Sequence, residues 1–365
     1  MASITTYVQT TEFAVLVGFH VFVLLMLALD LGVFQRQPHA VGMREAAVWS
    51  VVWIALALLF ALGIWLFWDR WHPETSDQGG LKAIEFVTGY LIEKSLSVDN
   101  LFVFLVIFRY FGVPARLQHR VLLWGILGAL LLRATLILIG AALLAAFHWM
   151  MYVFGGLLIY TAYKLFRSVE EEIDPGKNPL LRLARRFLPV IDNYDSNTFW
   201  VHREGRWHAT PLPLVLLVVE STDVIFALDS IPAIFAITTD TFIIYTSNIF
   251  AILGLRALYF LLAGFLGMFR YLSVGLALVL AFVGLKMILQ EPLGPYLESA
   301  GIGKGEMIVI SLGAITAILG VAVAASILAG PREPLEHPPD SVAEASPDGP
   351  AAQVTDESAT PPPKP

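Results

Sequence analysis

Apolar runs of about 18 residues or more recur along nearly the whole chain, and each is long enough to cross a ~30 Å hydrocarbon layer as a helix. They predict nine spans, at 13–34, 46–68, 83–108, 121–147, 149–166, 212–237, 242–268, 271–289 and 306–329. The connections are short except for 167–211, which is charged and interrupted by Pro175, Pro179 and Pro189. Ten-residue alternating segments, the mark of an outer-membrane barrel, are absent. No basic stretch precedes the first apolar run, so that run is expected to be a retained span rather than a cleaved signal. The predicted fold is all-α, a polytopic membrane domain over 1–330. Residues 331–365 are rich in Pro, Ala, Asp and Glu, have no packable apolar face, and predict a disordered acidic tail.

Composition agrees with the pattern: 57% of the 365 residues are hydrophobic and 15% charged, which is too apolar for a water-soluble domain. There is no cysteine, which excludes disulfides, thiolate metal sites and cysteine nucleophiles. Basic residues fix an orientation. Arg36 and Arg44, then Arg109, Arg116 and Arg120, then seven Lys and Arg within 167–211 fall on one side of the predicted spans, whereas the 238–241 link has none. By the positive-inside rule that side is cytoplasmic, so the N-terminus is outside, and the loop 167–211 and the C-terminal tail are inside.

Two spans carry carboxylates in a matching order. One reads Glu93-Lys-Ser-Leu-Ser-Val-Asp99-Asn100, the other Glu220-Ser-Thr-Asp223-Val-Ile-Phe-Ala-Leu-Asp229-Ser-Ile-Pro232. Aligning Asp99 with Asp229 also aligns Glu93 with Asp223, brings Leu-Arg133-Ala near Leu-Arg256-Ala, and sets Lys164 near Lys286. Residues 83–166 and 212–289 thus read as two three-helix repeats inserted in opposite senses, a pattern that in carriers places a site at mid-membrane.

An ionised carboxylate in hydrocarbon is costly, so five of them point to a cation site. A helix turns ~100° per residue, so Glu93 and Asp99 do not share a face of a straight helix, whereas Glu220 and Asp223 do. Either the acids point several ways within a protein-lined interior, or a break near Pro232 lets them converge. The donors are all oxygen. They are the five carboxylates, the amides of Asn100 and Asn248, and hydroxyls of Ser95, Ser97, Ser221, Thr222 and Ser230. Hard donors suit Mn²⁺, Ca²⁺ or Mg²⁺. Close acids also bind protons when a metal leaves, which gives a basis for metal–proton exchange. Plainer readings apply elsewhere. Arg133 and Arg256 are structural counter-charges, Lys94 neutralises Glu93, Trp53, Trp65, Trp68 and Trp71 anchor the interface, and Asp30 is as readily a helix-to-helix hydrogen bond as a ligand.

With these residues the chain resembles the TerC family of integral membrane proteins, first named for tellurium resistance. The resemblance runs from Leu27-Ala-Leu-Asp30 through the eighth span, and is strongest at Glu93–Phe104 and Glu220–Ala233, with Thr210-Pro211-Leu212 and Ser247–Arg256 also fitting. It implies a bacterial inner-membrane protein of metal homeostasis, with manganese export as the leading role. It carries the family's acidic positions onto Glu93, Asp99, Glu220, Asp223 and Asp229, and with less support onto Asp30 and Asn248. Tellurite is an anion that such a pocket would repel, so a tellurium phenotype would be indirect.

The expected function is export of a divalent cation, Mn²⁺ first, with the ion as cargo and no prosthetic group. The expected partners are that cation and the lipid bilayer, with a homo-oligomer left open and nucleic acid not expected. A competing function is a metal-binding membrane scaffold without transport. An intramembrane aspartyl protease is disfavoured because Asp99 follows Val98 and Asp229 follows Leu228, outside the Tyr-Asp and Gly-x-Gly-Asp contexts of such enzymes. The chain is accordingly not expected to be an enzyme.

Overall fold

A computed structural model describes residues 15–28, 42–72, 77–167, 176, 178–187, 189–190, 194, 198–203, 205–263 and 271–330, all within the unit Met1–Pro331. Asp30 and the tail predicted at 331–365 lie outside the described residues. Helices occupy the predicted spans: α1 (Val15–Ala28), α2 (Met43–Trp71), α3 (Gly79–Tyr110), α4 (Ala115–Ala146) and α5 (Met150–Arg167). The second half follows as α7 (Pro211–Phe235), α8 (Thr241–Ile252), α9 (Leu255–Ala263), α10 (Leu272–Ser299) and α11 (Lys304–Ala329). Between the halves stand a short helix, α6 (Pro179–Phe187), and a hairpin of β1 (Trp200–Arg203) and β2 (Arg206–Ala209).

Among the described residues, five helices (α2, α4, α7, α10 and α11) are long and apolar enough to cross a membrane, and α8 with α9 make a sixth if the bent pair counts as one span. This is an all-α polytopic membrane protein. Large apolar side chains point outward along these helices, such as Leu131 at 73% and Leu328 at 87% exposure. Water would penalise such surface, and lipid does not.

The hairpin is the exception to the all-α expectation. Trp200 pairs with Ala209 and Arg203 with Arg206, and Gly205 takes a positive φ of 76° in the two-residue turn. Its strands have four residues each, too short for the alternation that marks a strand in a sequence.

The expected break at Pro232 is not where the chain bends. α7 continues through Pro232, which costs it only the bond to the Leu228 carbonyl in the last turn. The bend of 41° lies between α8 and α9, at Leu253 and Gly254. Gly254 has φ +81°, and a Cβ there would lie 2.5 Å from Cγ of Trp53. Trp53 is therefore a buried packing residue under the bend, 2% exposed, and not an interface anchor. Trp68 is buried likewise, while Trp65 faces outward.

The helices of the two halves interleave. α4 packs on α7, α8 packs on α3, α3 packs on α7, and α5 packs along α10. The central helices α3 and α7 have protein on most sides, which is how they keep charged residues out of contact with lipid.

Candidate cation site

Helices α3 and α7 each turn a polar stripe inward. On α3, Glu93, Ser97 and Asn100 follow at i, i+4 and i+7, and all three are buried. On α7, Asp223, Ala227 and Ser230 take the same steps and are also buried. That spacing keeps each set on one helix face. With Asp99 aligned to Asp229, the two stripes fall at matching positions of the sequence. Asn100, not Asp99, thus shares the face of Glu93.

Arg133 of α4 stands between the stripes, 2% exposed. Its Nη1 is ion-paired with Glu93 Oε1. Its Nη2 donates to Asp223 Oδ1 over 3.2 Å, and its Nε to Asp223 Oδ2 over 3.5 Å. The planar fork of a guanidinium suits such a bridge between carboxylates. Two acids from opposite halves therefore meet at one cation supplied by the chain.

On these helices and on α8 the interior is incompletely paired. Among the described residues, the hydroxyls of Ser97 and Ser230 and both amide atoms of Asn248 are buried and have no hydrogen-bond partner. Each such group costs ~1–3 kcal/mol, and few are tolerated in a native interior. They lie on α3, α7 and α8, of which α3 packs on both others. Buried oxygen and amide groups on the helices that carry the two carboxylates and on α8 are of the donor type that suits a hard cation.

The remaining acids have their own partners. Glu220, half-buried, lays its carboxylate over Gly128 of α4, where a Cβ would overlap it. Asp99 accepts from Ser273 Oγ of α10 over 3.2 Å, and Asp229 accepts from Thr161 Oγ1 of α5 over 2.7 Å. Each of these aspartates thus leans on the third helix of the other half. Among the described residues, no three of His, Asp and Glu stand close enough to cage a metal ion. The sequence-derived set is brought together at Glu93 and Asp223, with Glu220 one turn away, and is spread apart at Asp99 and Asp229.

Lys94 turns away from its neighbour Glu93. Its Nζ donates to the carbonyls of Ala251 (3.2 Å) and Leu253 (3.4 Å) at the C-terminal end of α8, where a cation meets the negative end of the helix dipole. The counter-charge of Glu93 is Arg133, which sequence adjacency hid.

Two further polar features escaped the sequence reading. Lys82 Nζ pairs with Glu85 (3.0 Å) and Asp240 (2.9 Å), and Thr238 Oγ1 donates to Glu85 over 2.7 Å. This ties the start of α3 to the α7–α8 link. The spacing of Lys82 and Glu85 and the N-cap position of Asp240 before an apolar run were readable signals. Asn178 caps α6 through Oδ1 and donates through Nδ2 to Ser221 Oγ over 2.8 Å, beside Glu220. Nothing in a loop asparagine announces that contact.

The pattern of the integral membrane protein TerC family matches residues 78–333. An uncharacterized membrane protein of Myxococcus xanthus, STKORF319, is 50% identical over 328 residues, covering 90% of this chain and 95% of the relative. A protein of Escherichia coli (strain K12) named putative membrane-bound redox modulator Alx is 50% identical over 275 residues, 75% of this chain and 85% of its own length. An uncharacterized membrane protein of Rickettsia bellii is 39% identical over 273 residues, 75% of this chain and 87% of the relative. No solved structure gives a significant match.

Proposed function

Because this chain belongs to the TerC family of integral membrane proteins, we propose that it is a carrier that exports a divalent cation, Mn²⁺ first, across the bacterial inner membrane. Glu93 and Asp223 bind the cargo, Asn100, Ser97, Ser230 and Asn248 complete its oxygen shell, and Glu220, Asp99 and Asp229 serve entry and release. Asp30 remains a candidate ligand by resemblance alone. Protons return as the cation leaves.

The observation that carries this reading is the pairing of two buried carboxylates, from matching positions of α3 and α7, on helices that with α8 also carry buried hydroxyls and an amide with unfilled hydrogen-bonding capacity. A structural ion pair would not require that unfilled capacity. The packing of α3 on α8, α4 on α7 and α5 on α10 supports a build from two three-helix repeats, and the basic residues of the loops support nine spans with the N-terminus outside and the C-terminus in the cytoplasm. In that arrangement α3 and α7 run antiparallel and the site falls between them.

The relatives' name offers a different reading, redox modulation. This chain has no cysteine and so no thiol couple of its own. A redox effect would then follow from altered cation balance. A third reading is a metal-binding scaffold without turnover.

Reconstitution separates these. Purified protein in vesicles with an imposed pH gradient should move Mn²⁺, and Glu93→Gln, Asp223→Asn, Asp99→Ala and Asp229→Ala should each reduce that flux. Tight Mn²⁺ binding with no flux would favour the scaffold. Flux untouched by all four substitutions would remove the site.

A further inference from the structure

We propose that Arg133 is the charge filter of this site, a built-in monovalent cation that Na⁺ and K⁺ fail to displace and a divalent ion displaces. The inference rests on the divalent-carrier reading above and adds to it the residue that sets selectivity.

The geometry supplies the argument. The guanidinium already fills the space between Glu93 and Asp223, with an ion pair to one and two donor contacts to the other. A sodium or potassium ion brings the same single charge and has no advantage over it. The guanidinium is also tethered to α4, so its local concentration exceeds that of any free ion. A divalent ion brings twice the charge to the same two carboxylates and so outweighs the single charge of the guanidinium.

The choice of arginine fits this role. A lysine would lose its proton more readily in a buried setting and open the site to other cations, whereas a guanidinium keeps its charge. The guanidinium also needs somewhere to go when displaced. The hydroxyls of Ser97 and Ser230 and the amide of Asn248 are buried acceptors with nothing bound to them. They are carried by α3, α7 and α8, and α4 packs on the last two. Whichever of these acceptors the cargo leaves unused is open to the displaced arginine.

Equilibrium Mn²⁺ binding to the full chain in lipid nanodiscs, measured in NaCl and in choline chloride at equal ionic strength, tests this. The wild-type protein should bind Mn²⁺ equally in the two salts. Arg133→Gln should bind on the order of 10-fold more tightly in choline and lose that gain in sodium. Arg133→Lys carries a charge that is lost more readily when buried, and should show a smaller sodium sensitivity of the same sign.

If Arg133→Gln does not fold, Arg133→Lys, which leaves both carboxylates in place, supplies the same comparison. Binding in either variant that is indifferent to sodium overturns the filter. The carrier reading would survive that result if Glu93→Gln alone still abolished wild-type Mn²⁺ binding. Absence of Mn²⁺ binding in the wild-type protein and in the arginine variants would overturn both.

Discussion

Gly128 of α4 lies directly beneath the carboxylate of Glu220 of α7, with no room for a Cβ between them. The atoms in the way are the far end of a flexible side chain, so an added methyl moves the carboxylate and leaves the helices in place. Gly128→Ala is expected to change thermal stability by less than ~1 kcal/mol, since overpacking is costly only where neighbours cannot shift. It should nonetheless weaken Mn²⁺ binding or flux, because Glu220 is redirected. Melting and binding curves on the same preparation check both halves of this.

Removing the shared cation of the Arg133 triad should be more damaging than removing one of its two acids. Arg133→Gln leaves Glu93 and Asp223 buried without their counter-charge, and loss of one partner of a buried pair costs ~3–5 kcal/mol. Glu93→Gln keeps the contacts between Arg133 and Asp223 and should cost less. Glu93→Gln/Arg133→Gln should be less destabilised than the sum of the two single variants, with a coupling of ~0.5–3 kcal/mol between contacting residues. Unfolding midpoints of the single and double variants in detergent give the coupling directly. Additive losses would contradict the contact.

The bend between α8 and α9 depends on one glycine. Gly254→Ala places a Cβ at φ +81° and against Trp53, and positive-φ strain alone costs ~1–3 kcal/mol. The midpoint should fall clearly. Gly63→Ala is the control, since nothing lies within 4 Å of its added Cβ in the middle of α2. It should be neutral or stabilising by ~0.5–1 kcal/mol. Equal effects at the two positions would mean that the bend is not built on Gly254.

The loop between the halves is held at Tyr194, whose hydroxyl donates to the Phe111 carbonyl over 2.7 Å. Burial pushes its phenol up to about 12, above the ordinary value near 10. A raised folded value means that the neutral phenol contributes stability below about pH 10, and that this contribution is lost as pH rises through about 12. Tyr194→Phe should lower stability by ~1 kcal/mol near neutral pH. Its deficit against wild type should shrink as pH approaches about 12. A deficit constant with pH would sink this assignment.

The apolar runs alone determined that this chain builds membrane-crossing helices, because in hydrocarbon only a helix or a closed barrel satisfies its own backbone. Recurrence of the acid pattern likewise marked α3 and α7 as the helices that carry the buried acids Glu93 and Asp223. Asp99 and Asp229, the residues that aligned the repeats, turned out to be held by Ser273 and Thr161 rather than at the central cluster. Helix phase alone separated Asp99 from Glu93, but it left open which groups meet from other helices. That Arg133 bridges Glu93 and Asp223, that Lys94 leaves its neighbour for the end of α8, and that the chain bends at Gly254 rather than Pro232 were decided only by tertiary packing. Spacing along a chain fixes which way a side chain points from its own helix. What stands opposite depends on how separate helices pack, and neighbours in sequence carry little of that information.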